Sequence, residues 1–540
     1  MIKKKARFER RSYIFLFFII FGLIFVRYCY YGFNYFYQLD DYIQYHNYTA
    51  YYDDKWALIN NLGMLSARPL AGIFDLFIWS RFYGCMILAV GIISAMYAAS
   101  TILLHTVFSK RFGTGYLFFI VYALLPMGFE GSYWVSASSR IVVGMFFAAL
   151  SFYCFDKWCG EGGKRELVLF AVMQFAAFCF YEQIVFYSGA LTLVIMLLNV
   201  KGSGRSRAAW GFFMFANAAL YAVITKLMPA GVYGERAELF LPWQDGYKSE
   251  VFTPLLLQLK EVFVGGSAAM LGGGLLRGFK LLISEPNALY VLAVPALCFA
   301  FYSVVKKSHR ENISFFAELF SGILLAAAPI VLFFFLKAPW FGLRNAVTSF
   351  CGLGLILDAL FDLVFGRLKS GKAAEDIIVA ALALLCCVAS VSELHDYRET
   401  TLADTRIATA ASEAFEGVSF GNNDSIWLLN VDASYVKNGN FYYHEHNYGV
   451  TSSPWALTGA IRAVSGRGEI PTVSPVSVYA AFAAGESEIT KASAYCCSDG
   501  NVVPAIITKT DDNLWQVADG SGQTLGTLSY VDGGLWLKMK

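Results

Sequence analysis

From residue 1 to about residue 395, long apolar runs alternate with short polar segments that are often basic. The first run, Ser12 to Tyr31, follows Lys3, Lys4, Lys5, Arg7, Arg10 and Arg11. A run of ~17–25 apolar residues can cross a bilayer as one helix. Basic residues before the first run hold that end in the cytoplasm. Five further basic segments, Lys110–Arg111, Lys157 to Arg165, Lys201 to Arg207, Lys306 to Arg310 and Arg367 to Lys372, are expected on the same side. An even number of crossings must separate each consecutive pair. Leu167 to Val200 therefore makes two short or tilted helices that turn near Tyr181-Glu182-Gln183, and Gly115 to Phe155 splits around Pro126 to Arg140. Ala208 to Met228 and Asn287 to Val305 flank a long outer loop. Phe315 to Leu336 and Asn345 to Phe365 turn at the segment Lys337 to Arg344, and Ile377 to Ser392 exits last. The expectation is a mainly α, polytopic helical bundle of about 11 spans, N-in and C-out. Val262 to Ile283 fits an interfacial, re-entrant or spanning segment; Arg277 and Lys280 favour the interface.

After Glu393 the pattern changes. Asn422 to Lys540 is rich in Gly, Ser, Asn and Asp, with short apolar alternations such as Ile426-Trp427-Leu428-Leu429 and Leu535-Trp536-Leu537. Residues 396–540 read as a small extracytoplasmic β or α/β domain. Residues 1–395 read as the membrane domain, with a large first outer loop at 32–84.

Composition agrees with a membrane chain. Hydrophobic residues make up 57% and charged residues 15%, against roughly 25% charged in soluble proteins; mean hydropathy is +0.52. The first apolar run is too long for a typical signal peptide and lacks a small-residue cleavage site, so it is expected to stay as an anchor. A net charge of +2 gives no bulk attraction for nucleic acid. Most of the eleven cysteines lie in or beside apolar runs, and Cys496-Cys497 lacks metal or redox spacing. Gly272-Gly273-Gly274 has no phosphate-cradle context and reads as a flexible loop.

Parity collects polar residues on one face. The first outer loop holds Asp40, Asp41, His46, Asp53, Asp54, Arg68, Asp75 and Arg81, and its apolar spacing at Leu70, Ile73, Phe74, Phe77 and Ile78 suits an amphipathic helix. Later outer loops hold Glu130, Trp134 and Arg140, then Glu182, then Lys226, Arg236 and Glu238, then Lys337 and Arg344. Carboxylates near hydrocarbon are costly and tend to be kept for function. Lys and Arg are depleted in short outer loops, so Arg68, Arg140, Lys337 and Arg344 ask for a reason. A lipid phosphate supplies one, with Arg giving paired hydrogen bonds and Lys a point charge. A neighbouring carboxylate can take the proton of an acceptor hydroxyl. Structural alternatives stand beside these roles: a helix cap for Asp40 and Asp41, ion pairs for Arg68 and Arg344, a turn position for Glu182, an interfacial site for His46, and belt aromatics for Trp79, Trp134 and Trp340.

An N-in first helix followed at once by Gln38-Leu39-Asp40-Asp41-Tyr42, in a large outer loop with amphipathic helices, resembles the GT-C glycosyltransferases. Within them, Ala67-Arg68-Pro69-Leu70, similar to a Gly-Arg-Pro-Leu signature, and Tyr181-Glu182-Gln183 resemble the bacterial glucosyltransferases related to the O-antigen-modifying, GtrII-like enzymes. The resemblance covers roughly residues 1–400, and Ala67 departs from its Gly. It implies transfer of a sugar from a polyprenyl-phosphate donor to a cell-envelope glycan or lipid-linked acceptor at the outer face of a bacterial plasma membrane. In this pattern Asp40 is the base and Asp41 its partner or substitute; Arg68, Arg140, Glu182, Lys337 and Arg344 bind substrate. No cofactor is required, and a divalent metal is optional.

Two other classes compete. A flippase or transporter of a lipid-linked saccharide needs polar groups through the bilayer midplane, whereas the charges here gather at one face. A non-catalytic envelope scaffold would bind glycan through Trp427, Tyr435, Tyr442, Tyr443 and Trp455, which leaves Asp40 and Asp41 without a role.

Overall fold

The computed structural model describes residues 2–47, 67–198, 204–227, 238–305, 314–365, 371–421, 425–432, 448–483, 489, 492–498, 500–531 and 533–540. The chain forms two compact units, Met1–Tyr35 with Trp56–Leu394, and Phe36–Lys55 with His395–Lys540. One division falls between Leu394 and His395, and Phe36–Lys55, which carries Asp40 and Asp41, groups with the C-terminal unit.

The first unit is helical. Its α-helices are α1 (Ile2–Val26), α2 (Pro69–Phe77), α3 (Met86–Phe112), α4 (Leu117–Leu124), α5 (Phe129–Tyr133), α6 (Val135–Glu161), α7 (Lys164–Phe178), α8 (Gln183–Leu198), α9 (Gly204–Leu227), α10 (Thr253–Lys260), α11 (Gly274–Ser284), α12 (Ala288–Val305), α13 (Phe315–Ala327), α14 (Leu343–Ala346) and α15 (Phe350–Phe365). α16 (Gly371–Ala414) begins here and continues past Leu394 into the second unit. Among the described residues, seven helical runs are long and apolar enough to cross a membrane: Trp79–Phe112, Val135–Glu161, Lys248–Ser284, Ala288–Val305, Phe315–Phe335, Leu343–Phe365 and Ala373–Ala414. Ser12–Val26, Leu117–Tyr133, Gln183–Leu198 and Gly211–Leu227 are shorter apolar helices.

Most turns fall where the polar breaks predict them. Gly113 and Gly162 adopt φ of 79° and 74° and end α3 and α6, where a left-handed cap without a Cβ satisfies the last carbonyls. At that end of α3, Lys110 and Arg111 are tied to Asp156 of α6, at 2.9 Å from Lys110 Nζ and 2.8 Å from Arg111 Nε. The split between Pro126 and Arg140 comes earlier than expected: α6 starts at Val135, so Arg140 lies inside a helix. Gly272-Gly273-Gly274 is a correction. It sits within the continuous helical run Lys248–Ser284 rather than in a loop, and Arg277 is buried with Nη1 3.5 Å from Ser392 Oγ. α13 and α15 meet main chain to main chain. A Cβ on Gly322 would sit 2.9 Å from Gly352 O and from Ile356 N, and one on Gly352 would collide with Ala326 and Gly322. Small residues permit this close approach.

The second unit is α/β. Seven strands, β1 (Ile426–Leu429), β2 (Val473–Val476), β3 (Ser493–Ser498), β4 (Asn501–Asp511), β5 (Leu514–Asp519), β6 (Thr524–Val531) and β7 (Gly534–Met539), form one sheet in the order β2-β1-β3-β4-β5-β6-β7. β1 is parallel to β2 and β3, and the remaining pairs are antiparallel. Every residue of β1 is buried because both faces are covered. Ile426 and Leu428 join a core with Tyr42, Phe415, Leu457 and Ile461, whereas Trp427 and Leu429 join one with Trp515, Val517 and Leu537. α17 (Pro454–Ser465) links β1 to β2, with Pro454 in its first turn and Gly466 as its left-handed cap. The segment Tyr42–Asn47 lies on α17 over Gly459, whose missing Cβ makes room for Ile43. Of the five aromatics read as glycan binders, Trp427 is core and Trp455 is exposed; Tyr435, Tyr442 and Tyr443 lie outside the described residues.

Candidate functional site

Two motifs that are far apart in sequence form one clasp in the first unit. Arg68 directly precedes α2, where Pro69 needs no N–H partner. Arg68 Nε and Nη2 donate to Glu182 Oε2 and Oε1 at 2.8 and 2.6 Å, and the guanidinium lies 4.4 Å from the Tyr181 ring centroid. The N–H groups of Leu70 and Ala71, orphans of the first turn of α2, donate to Cys179 O at 3.1 and 3.4 Å. Tyr221 OH donates to Ala67 O at 2.6 Å. Burial pushes the Glu182 carboxyl up, but the Arg68 charge and hydrogen bonds outweigh it and leave the pKa below the ordinary value. Arg68 is 14% exposed and Glu182 34%, so solvent screens part of this attraction.

Arg140 and α2 make a second pair. Arg140 Nη2 donates to Asp75 Oδ2 at 3.0 Å, and Ser139 OH to Asp75 Oδ1 at 3.2 Å. Asp75 is fully buried. The Arg140 charge also reaches Glu182.

Arg344 differs from both. It sits on α14, which is seated by Gly131: a Cβ there would lie 2.9 Å from Arg344 O. Its neighbour Asn345 accepts from Gly342 N–H at 3.0 Å and donates to Tyr181 OH at 2.7 Å and Gln183 Oε1 at 3.1 Å. This joins α14 to the clasp. The Arg344 guanidinium lies 5.5 Å from the Trp134 ring centroid. Among the described residues no carboxylate pairs with it. Trp134 is 4% exposed and forms the N-cap of α6, and its Nε1–H, like the Ser138 hydroxyl, is buried with no hydrogen-bond partner. A helix N-terminus carries positive potential. The linked set therefore brings Arg68, Arg140 and Arg344 together with Glu182 and Asp75, with unused donors beside Arg344. That arrangement suits an anion.

Lys337 is placed elsewhere. Its Nζ donates to Glu238 Oε2 at 3.1 Å, and its backbone N–H to Glu238 O at 3.0 Å. Lys226 is exposed; Arg236, Asp53 and Asp54 lie outside the described residues. Trp79 and Trp134, read as belt aromatics, are buried, and Trp340 is exposed.

Asp40 and Asp41 belong to the second unit and have unlike surroundings. Leu39 before them has φ of 28°, a conformation that side chains rarely adopt and that clusters at functional turns. Asp41 is completely buried and accepts from Gln38 N–H at 2.9 Å. Gln38 Nε2 in turn donates to Thr401 Oγ1 at 3.2 Å. Asp41 thus closes the turn. Asp40 is half-buried and makes no hydrogen bond or ion pair with the described residues. His46 is half-buried, and burial lowers its pKa.

Among the described residues, a further group of carboxylates lies on α13 and α15. Ligand atoms of Glu318, Asp358 and Asp362 are within 4.8 Å of one another, a spacing that suits a metal ion. Thr114 OH donates to Glu318 and Gly115 N–H to Asp358, both at 2.6 Å. Along the run Leu343–Phe365, Asp358 is roughly 20 Å from Arg344.

No family model matches the chain, and no curated protein matches it. The reading of the site rests on its residues.

Proposed function

We propose that the chain is a membrane glycosyltransferase of the GT-C type. It moves a sugar from a polyprenyl-phosphate donor to a cell-envelope glycan or lipid-linked acceptor at the outer face of a bacterial plasma membrane. The observation that carries this reading is Arg344, a guanidinium with no carboxylate partner among the described residues, stacked on Trp134 at the start of α6. The leaving group of such a transfer is a phosphate, which needs cationic stabilisation more than a strong acid. Arg344 stabilises it, and the Arg68–Glu182 and Arg140–Asp75 pairs hold the surrounding frame. Asp40, a carboxylate with no partner among the described residues, takes the proton of the acceptor hydroxyl. The acceptor oxygen bonds to the anomeric carbon as the carbon–oxygen bond to phosphate breaks, and the bonding electrons leave with the phosphate. A divalent metal is optional. The about eleven spans, N-in and C-out, and the extracytoplasmic C-terminal unit belong to this same reading.

A second reading, transport of a lipid-linked saccharide, draws on Glu318, Asp358 and Asp362, carboxylates within apolar helices. Radiolabelled sugar transfer from polyprenyl-phosphate donors by membranes carrying the protein separates the two. Transfer that depends on Asp40 supports the enzyme. Movement of label across the bilayer without a new glycosidic bond supports the transporter.

A further inference from the structure

Arg27 directly follows α1 and is 1% exposed. Its contacts are few: Nε donates to Ile24 O at 3.3 Å, and Nη2 to Tyr28 OH at 2.8 Å and Ser132 Oγ at 3.4 Å. The guanidinium carbon lies 4.9 Å from the Tyr28 ring centroid. The hydroxyls form a one-way relay. Tyr28 OH donates to Ser132 Oγ at 2.8 Å, and Ser132 OH to Gly128 O at 2.7 Å. Every proton in it is used, and none returns to Arg27. Nη1 is buried with no acceptor among the described residues. Its charge reaches Tyr97, Tyr290, Cys386 and Cys387, which are phenols and thiols.

A guanidinium keeps its proton in proteins. Buried without a counter-ion, it is strongly unfavourable. The two N–H bonds of Nη1 are unused donors, of the charged kind that phosphate oxygens accept from. We propose that Arg27, with the Tyr28–Ser132 relay, is a binding site for the phosphate group of a membrane amphiphile. A turn follows Arg27: Tyr30 OH ties it to Glu285 O at 2.5 Å, and the stretch Tyr31 to Asn34 bends at Gly32 with φ of 86° and ends in exposed Phe33 and Asn34. An amphiphile is favoured over free phosphate by an aromatic ladder that arrives at the same turn. Phe17, Phe21, Phe25 and Phe33 stack in succession, with centroids 6.4, 5.8 and 6.3 Å apart. α5 carries Ser132 next to Gly131, so the Arg27 and Arg344 sites share one short helix. The inference concerns binding alone and stands whether or not the chain transfers sugar.

Thermal melting of the purified full chain in a neutral detergent tests it, with dodecyl phosphate or inorganic phosphate as the probe. Dodecyl phosphate is expected to raise the melting temperature of the wild type, and Arg27→Met to abolish that rise. Without the probe, Arg27→Met is expected to melt at or above the wild type, because an uncompensated buried charge has gone. Arg27→Lys, which keeps a point charge but loses the guanidinium N–H donors, is expected to retain a reduced rise, and it serves if the Met variant does not fold. A rise with inorganic phosphate of equal size would overturn the amphiphile. No rise with either probe, or an equal rise in wild type and both variants, would overturn the site.

Discussion

Arg68 and Glu182, 114 residues apart in the chain, meet through two parallel hydrogen bonds of 2.8 and 2.6 Å. Each is therefore spoken for by the other. Glu182→Ala leaves a mostly buried guanidinium without its carboxylate and is expected to cost about 1–2 kcal/mol, the range of a partly screened charged hydrogen bond. Replacing both residues by Met should recover much of that loss. Thermal melts of the two single variants and the double variant decide the matter; additive losses would mean the pair contributes nothing.

The same pair sets an acid limit. The folded pKa of Glu182 lies below its ordinary 4.5. Its contribution is thus fully present above that value and is lost as pH falls through the lowered one. Melting temperatures followed downward from neutral pH should drop more steeply for the wild type than for Glu182→Gln. Parallel curves would remove Glu182 from the acid response.

Arg344 and Lys337 are expected to part company. Arg344→Ala should weaken donor binding by roughly 1.5–3 kcal/mol, the worth of a hydrogen bond to a charged group. Lys337→Ala breaks a solvent-facing pair with Glu238 and should change binding by less than about 1 kcal/mol. Titration with a polyprenyl-phosphate sugar measures both, and equal losses would contradict the assignment.

Asp40→Asn keeps size but removes basicity, so transfer should fall by about 10²–10⁴-fold with donor binding little changed. Asp41→Ala should act on stability instead, by about 1.5–3 kcal/mol, because the turn loses the acceptor of Gln38 N–H. A fully active Asp40→Asn would take Asp40 out of the chemistry.

The C-terminal unit is expected outside the cell. Ser521 is exposed between β5 and β6. In a Cys85→Ala background, which removes an exposed native thiol, Ser521→Cys should react with an impermeant maleimide in intact cells. Protection there with labelling after lysis would reverse the topology.

Much of this architecture is legible in the sequence. The turns at Tyr181-Glu182-Gln183 and before Arg344 follow from apolar length and basic breaks. The strand Ile426-Trp427-Leu428-Leu429 follows from β-prone apolar residues beside turn formers. What hydropathy does not carry is pairing. Nothing in the local pattern says that Arg68 meets Glu182, that Arg140 meets Asp75, or that Lys337 meets Glu238, so all three bases look equally in need of a ligand. Only packing singles out Arg344. Arg27 falls inside the run Ser12 to Tyr31, and nothing in that run says that it is buried beside Tyr28 and Ser132. Asp75 reads as a loop carboxylate because Ser139 and Arg140, which bind it, lie 64 and 65 residues away. Trp134 reads as a belt residue although it caps α6. Phe36 to Lys55 looks like part of the first loop, because the Gly459 notch that receives Ile43 is invisible until α17 is folded.

The contact of Gly322 with Gly352 has a mechanical meaning. Side chains that interdigitate can change rotamer, and the gap between two helices drifts as they do. A junction of bare main chain has no such freedom, so α13 and α15 behave as a welded joint. Glu318 lies one turn before that weld and Asp358 less than two turns after it. Their separation is inherited from the backbone, and repacking the helices elsewhere should leave it unchanged.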